Sequence, residues 1–124
     1  LSNSEIEKII YFPVDESNQS FYININFNNG SSGCIQYITN GSYSFQKERL
    51  DVFVAGKVFQ INNFLNIRSW GNSSLKSKKL FKQDKGQEAC VKAFIKAIKD
   101  GGPPPIPIEE IFEVQAKILS CLNQ

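Results

Sequence analysis

Over residues 20–28 the sequence alternates without a break: Phe21, Ile23, Ile25 and Phe27 are apolar, and Tyr22, Asn24, Asn26 and Asn28 stand between them or follow. Side chains of a strand point to opposite faces with a period of two, so this stretch reads as a strand with one buried and one wet face. Asn28-Asn29-Gly30-Ser31-Ser32-Gly33 supplies residues that accept left-handed backbone, and residues 34–39 read as the returning strand of a hairpin. Further strand-like runs occupy 50–55, 58–61, 64–70 and 75–82, separated by turn signals at Gly56-Lys57, Asn62-Asn63 and residues 71–74. Roughly six short strands joined by tight turns predict an antiparallel meander.

At Asp84 the period changes. Val91, Phe94, Ile95 and Ile98 recur at helical spacing, with Glu88, Lys92, Lys96 and Lys99 on the wet side, which predicts a helix over 85–100. Asp84 as N-cap with Gln87 three residues on has the form of a capping box, and Gly101-Gly102 followed by Pro103, Pro104 and Pro105 ends the helix. Pro107 suits a first helical turn and Glu109 and Glu110 suit its positive dipole. Ile108, Ile111, Phe112, Ile118, Leu119 and Leu122 then form the apolar stripe of a second helix, running from 107 to near the C-terminus. Strands followed by helices predict an α+β fold: one antiparallel open-faced sheet of about six strands, covered on one face by two C-terminal helices. Tyr22, Gln36, Phe53 and Phe59 are expected to share the uncovered face, mixed enough to meet another subunit. Residues 1–14 carry Ile6, Ile9 and Ile10 in a short amphipathic piece ending at Pro13, expected as an N-terminal connecting segment before a domain over 15–124.

With 124 residues the chain suits one domain. It has no histidine, which excludes Ser-His and Cys-His nucleophile pairs, a histidine base and histidine-rich metal sites. It also has no methionine, so we expect a piece of a longer or processed chain. Cys34, Cys90 and Cys121 are widely spaced; they read as reduced thiols, with Cys90 and Cys121 in the core, and neither a metal site nor a redox pair is expected. No signal peptide or apolar run of membrane-spanning length is present, so a cytoplasmic location without membrane contact is expected. Sequon-like triplets at Asn18, Asn29, Asn40 and Asn72 are read as turn chemistry.

The net charge of +2 is too small to announce a nucleic-acid partner. Lys76, Lys78, Lys79, Lys82 and Lys85 beside Phe81 read as the guarded edge of a sheet, since lysines discourage pairing with other strands. No Gly-rich phosphate loop follows a strand and no zinc spacing occurs. Polar chemistry concentrates at two places. A Gly- and Ser-containing loop over 40–46 presents Tyr43 and Phe45 and leads into Lys47-Glu48-Arg49, where a cation could grip an anionic or hydroxylated ligand. Asp84-Lys85-Gly86-Gln87 combines a cap with exposed amides at a helix start.

Four strings stand in order along the chain: Phe27-Asn28-Asn29-Gly30-Ser31-Ser32-Gly33, Lys47-Glu48-Arg49-Leu50-Asp51-Val52-Phe53, Gln83-Asp84-Lys85-Gly86-Gln87-Glu88 and Pro105-Ile106-Pro107-Ile108-Glu109-Glu110-Ile111. Together they resemble the C-terminal domain of Gfo/Idh/MocA-type oxidoreductases, especially relatives fused to a zinc-type alcohol dehydrogenase. The resemblance covers residues 15 to the end. It implies a parent with an N-terminal Rossmann domain that binds NAD or NADP, no cofactor in this chain, and hydride transfer at a hydroxyl or carbonyl carbon of a sugar, cyclitol or related compound. It further implies a homo-oligomer through the open sheet face. The family's catalytic lysine and its Asp/His pair lie before this segment, so no catalytic residue is carried over and the isolated chain is expected to be inactive. Tyr43, Lys47, Lys85 and Gln87 correspond to the places where the family's domain reaches a small-molecule substrate. Relatives often have histidine where this chain has Gln87, and glutamine can bond a hydroxyl but cannot shuttle a proton near neutral pH. A stand-alone binding or scaffold module using the open sheet face is the alternative that the residues leave open.

Overall fold

The structure, a computed structural model, describes residues 2–14, 16, 19–71, 75 and 77–122, the side chain of Leu122 excepted. Asn18, Asn72, Lys76 and the expected turn at 72–74 lie outside the described residues. The fold is α+β, and the described residues form seven strands in antiparallel sheets and two helices. The strands form a three-stranded sheet and a four-stranded sheet rather than the single sheet of about six. The Gly- and Ser-containing stretch between Tyr37 and Arg49 forms no strand, and no ladder carries the pairing across it. The chain divides into two compact units, Leu1–Gly41 with Gly101–Gln124, and Ser42–Asp100.

In the first unit β1 (Ile6–Pro13), β2 (Phe21–Phe27) and β3 (Ser32–Tyr37) pair in that order. The alternation of β2 is realised: Phe21, Ile23, Ile25 and Phe27 are half-buried, whereas Tyr22, Asn24 and Asn26 are exposed. Ile23 lies between Tyr11 and Ile35 in the ladder, and Ile25 is opposite Ile9. An aromatic run, Tyr11 to Phe21 at 5.4 Å and Phe21 to Tyr37 at 5.1 Å between ring centroids, covers the same face. Such pairs add about 0.5–1.5 kcal/mol each beyond area burial. The segment expected to connect therefore contributes a strand. Ile9 and Tyr11, two apart, fit the pleat as well as Ile6, Ile9 and Ile10 fit a helix, and the open backbone edge of β2 decides between them.

Ser20 is fully buried; its hydroxyl bonds that of Thr39 at 2.9 Å and accepts the Thr39 amide at 3.0 Å. That pair closes the end of the sheet where β2 begins.

Helix α2 (Ile108–Leu122) matches the expected span and lies against β1. Its contact side is unexpected. Glu113, Lys117 and Cys121, four residues apart, are its less exposed positions; Cys121 is buried, and the Glu113 carboxylate accepts the Ile6 amide at 2.8 Å. Ile108, Ile111, Phe112, Ile118 and Leu119, expected to cover a sheet, are exposed.

In the second unit β4 (Arg49–Val54), β5 (Lys57–Asn62), β6 (Asn66–Trp70) and β7 (Lys78–Lys79) form a meander. The last strand, expected over 75–82, is reduced to two lysines pairing with Ile67 and Asn66, the cation-guarded edge anticipated from the sequence. The register gives the sheet two distinct faces. Leu50, Val52, Phe59, Ile61 and Ile67 share one; Arg49, Asp51, Phe53, Val58, Gln60, Asn62, Asn66, Arg68 and Trp70 share the other. Phe53 and Phe59, expected together, are therefore on opposite faces, because Phe59 pairs with Val52 and Phe53 with Val58. Tyr22 and Gln36 do share a face, being directly opposite across β2 and β3.

Helix α1 (Gln87–Asp100) begins within two residues of its expected start. Its wet side carries the ion pairs Glu88–Lys92 and Lys96–Asp100 at i,i+4. Val91, Phe94, Ile95 and Ile98 are exposed, and within its unit the helix packs against no strand. Cys90 is consequently exposed, not in a core as expected; Cys34 is exposed and Cys121 buried. Within its own unit each helix falls short of the expected cover: α2 lies along β1 and α1 against no strand.

The β4–β5 turn places Ala55 at φ 47° ahead of Gly56 at φ 72°. A two-residue hairpin with both central residues left-handed favours Asn-Gly, and alanine there costs about 1 kcal/mol. Gly71, at φ 70°, approaches that turn so closely that a Cβ would sit 2.6 Å from the Gly56 carbonyl oxygen. Ala55→Asn is expected to stabilise this unit by about 1 kcal/mol, and Gly71→Ala to destabilise it by about 2 kcal/mol. Urea titration followed by the fluorescence of Trp70, the chain's one tryptophan, reads both.

Candidate functional site

The start of β4, the β5–β6 turn and the entry to α1 are bound together by hydrogen bonds. Asn63 and Phe64 both adopt left-handed backbone, at φ 49° and 51°, and the Leu65 amide donates to the Asn62 carbonyl at 3.0 Å to close the turn. The Asn63 amide donates to the Glu48 carbonyl at 2.6 Å. The Gln83 side-chain amide reaches Asn63 twice, at its backbone carbonyl and its side-chain oxygen, both at 2.9 Å. One position later the Asp84 amide donates to the Phe64 carbonyl at 3.4 Å. Finally the Lys85 ammonium pairs with the Glu48 carboxylate.

The expected capping box takes another form. The Asp84 carboxylate accepts the Gly86 amide at 2.8 Å, and the Gly86 carbonyl accepts the first helical bond from the Cys90 amide at 2.9 Å. Gly86 is therefore the N-cap, and its φ of 78° explains why glycine occupies it. Gln87 is the first helical residue and exposed, so it does not complete a box with Asp84.

Of the four expected substrate contacts, Lys85 is engaged, and its partner is Glu48 from within the chain. Lys47 is exposed one residue before Glu48, and Gln87 lies two residues beyond Lys85. The Glu48–Lys85 pair thus brings the surroundings of Lys47 and Gln87 to one edge of the unit. Tyr43 is not drawn in: it sits in a turn held by the Phe45 amide on the Ser42 carbonyl at 3.0 Å, 99% exposed. The Lys47-Glu48-Arg49 cluster is divided, Glu48 turning to Lys85 and Arg49 to Asp51 at 2.9 Å.

Beside this edge a shallow apolar hollow is lined by Ile61, Phe64, Leu65, Ile67 and Leu80, with Lys78 and Asp84 among its polar neighbours. It opens on the apolar face of the β4–β7 sheet, since Ile61 and Ile67 belong to that face. The opposite face carries a polar ladder that sequence reasoning passed over. The Asp51 carboxylate accepts Arg49 Nε at 2.9 Å on one oxygen and Gln60 Nε2 at 2.7 Å on the other, and Gln60 Oε1 accepts Asn62 Nδ2 at 2.8 Å. The polar residues at 49 and 51, 60 and 62, and 66 and 68 carry the period-two signal that could have found it.

Among the described residues no cluster of His, Cys, Asp and Glu side chains could hold a metal ion. No helix of the described residues is long and apolar enough to cross a membrane. The chain matches no protein-family model, no curated protein and no solved structure.

The Glu48–Lys85 pair is about one-third exposed on each side, which places it among ion pairs of modest strength. A double-mutant cycle with Glu48→Gln and Lys85→Met is expected to give a coupling of about 0.5–1 kcal/mol in unfolding titrations, shrinking as salt rises. A coupling indistinguishable from zero at low salt would remove this pair as the organiser of the edge.

Proposed function

We propose that this chain is the substrate-side and oligomerisation domain of an NAD(P)-dependent oxidoreductase of the Gfo/Idh/MocA type, acting on a sugar, cyclitol or related hydroxyl compound. The observation that carries the reading is the exposure of two amphipathic helix stripes, Val91, Phe94, Ile95 and Ile98 on α1 and Ile108, Ile111, Phe112 and Leu119 on α2. Exposed apolar stripes of this size mark surfaces meant to meet other protein. A Rossmann domain in the parent is the partner that the four ordered strings suggest, and it would hold the NAD or NADP.

The start of α1 is a poor place for that nucleotide. Gly86 is the glycine at a helix start, and its amide, which would face a phosphate, is already donated to the Asp84 carboxylate. Nearby anionic oxygen repels a pyrophosphate rather than receiving it. The edge organised by Glu48 and Lys85 suits a different task. Lysine ammonium groups and the Gln87 amide can hold the hydroxyl and carbonyl oxygens of a small molecule, with Glu48 fixing where the Lys85 charge stands. We assign Lys47, Lys85 and Gln87 of this edge, and Tyr43 from the separate turn at 42–45, to substrate contact, none to catalysis, and place the domain in the cytoplasm.

The size of the natural polypeptide tests the reading first. An antibody against this domain should detect, in source cells, a chain at least about 120 residues longer, enough for a nucleotide-binding domain. A band of this chain's own size would favour a stand-alone binding module instead. In the parent, Lys47→Ala and Lys85→Ala are each expected to lower kcat/KM roughly fivefold or more, the loss of about 1 kcal/mol of polar contact. Unchanged kinetics in both would leave a purely assembling role.

A further inference from the structure

The tripeptide Asn-Gly-Ser occurs twice in the chain, as Asn29-Gly30-Ser31 and as Asn40-Gly41-Ser42. Both copies have the same local chemistry and both are exposed, so whatever separates them comes from the fold. In the first copy asparagine and glycine are tied down. The Asn29 backbone amide donates to Ser4 Oγ at 3.2 Å, its side-chain nitrogen donates to the Ser2 carbonyl at 2.8 Å, and its side-chain oxygen accepts the Ser31 amide at 3.0 Å. The Gly30 amide donates to the Phe27 carbonyl at 2.9 Å. In the second copy neither the Asn40 side chain nor the Gly41 amide makes a hydrogen bond among the described residues. Only their neighbours are held. The Thr39 amide donates to the Ser20 hydroxyl at 3.0 Å, the Ser42 hydroxyl bonds that of Ser44 at 2.9 Å, and the Ser42 carbonyl accepts the Phe45 amide at 3.0 Å.

We infer that Asn40 is a site of spontaneous deamidation through a cyclic imide, and that Asn29, with the same glycine and serine after it, is protected by the fold. The Gly41 amide nitrogen gives its proton to hydroxide and attacks Asn40 Cγ. The N–Cγ bond forms, the Cγ–Nδ2 bond breaks, and the departing nitrogen takes a proton from water and leaves as ammonia. Water then opens the five-membered ring at either carbonyl. Cleavage at Cγ gives aspartate with an ordinary backbone; cleavage at the Asn40 backbone carbonyl gives isoaspartate, the chain then running through Cβ and Cγ. Overall one water is consumed and one ammonia released, and nothing is oxidised or reduced. The inference stands apart from the function proposed above.

Ring closure requires the asparagine side chain to swing over the next amide. Glycine puts no Cβ in the way and its backbone turns freely. Around Gly41 a Cβ would meet nothing within 4 Å beyond its chain neighbours, so no packed atom resists the rotation. At Asn29 the same movement has to break the Gly30–Phe27 bond and both side-chain bonds, which slows it by at least about tenfold. The product at Asn40 adds one negative charge to a chain of net charge +2. In its isoaspartyl form it also adds a carbon to the backbone one residue before the first unit ends at Gly41 and the chain passes into the second.

The test holds the chain for about two weeks at about 37 °C and about pH 8, then cuts it after aromatic residues, and mass spectrometry reads a gain of about 1 Da per deamidation. Peptide 38–43 then carries Asn40 and peptide 28–37 carries Asn29. In the folded chain the gain at Asn40 should appear at least about tenfold faster than at Asn29, as two products, aspartate and isoaspartate. Isoaspartate is recognised by its acceptance of a methyl group from S-adenosylmethionine with an isoaspartyl carboxyl methyltransferase. In guanidinium chloride, where the fold is lost, the two sites should react at rates within about twofold of each other. Gly41→Ala keeps the fold, because Gly41 does not use left-handed backbone and the added Cβ has open space, and it should slow the reaction at Asn40 by at least about tenfold. Equal rates at the two sites in the folded chain, or no change at Asn40, would overturn the inference. Aspartate without isoaspartate would overturn it too, since direct hydrolysis of the side-chain amide passes through no ring, and so would an unaltered rate in Gly41→Ala. A difference between the sites that persists in guanidinium chloride would trace it to sequence and overturn protection by the fold.

Discussion

Cross-strand backbone pairing is the interaction on which the rest of this structure depends. Among the described residues Cys121 is the buried apolar side chain and Ser20 the buried polar one. A core of the usual kind therefore does not hold either unit. What does is the ladder, with β2 and β5 paired on both sides and half-buried apolar neighbours beside the bonds. Side-chain pairs opposite one another, such as Ile9 with Ile25 and Leu50 with Ile61, supply the local packing. Small sheets of this kind are marginal alone and gain stability when a face is covered.

That marginality connects to function. A helix whose apolar stripe faces water contributes little by itself, because helical stability in proteins comes from packing that stripe. Helix α1 has its N-cap and two ion pairs, α2 its tether from Glu113 to β1, and both leave their apolar stripes exposed. The same holds for the mixed face of β4–β6, where a salt-bridged amide ladder adjoins exposed aromatics. On the function proposed above, the exposed stripes and the thin interior are two aspects of one design, since a domain covered within a larger assembly would not have to build that cover from its own residues.

The hydrogen-bonded edge around Glu48 is the exception, a place where polar groups converge. It forms because a left-handed turn at Asn63 and Phe64 turns backbone toward β4, and because Gln83 and Asp84 anchor there before the helix begins. The apolar hollow beside it uses the same turn residue, Phe64. The polar edge and the apolar hollow thus share one hairpin. Tyr43, in a loop held by its own serines, has no such anchor and stays apart.

Much of this was legible in the chain itself. The alternation at Phe21 to Phe27 determined β2, and the 3.6 spacing of Val91, Phe94, Ile95 and Ile98 with Gly101 behind it determined α1. Period and punctuation are local properties, so residue order suffices to read them. Residues 6–13 were ambiguous because Ile6, Ile9 and Ile10 suit a helix and Ile9 with Tyr11 suits a strand; only a neighbouring edge could choose. The division into two sheets, the separation of Phe53 from Phe59, and the pairing of Glu48 with Lys85 were likewise decided by tertiary structure. Register depends on which strand finds which partner, and an ion pair between residues 48 and 85 depends on the turn that folds one toward the other. Sequence thus determined which segments are strands and helices and which faces are apolar. Only the folded chain decided which of those faces meet one another and which are left exposed, because burial is a property of neighbours in space and not of order along the chain.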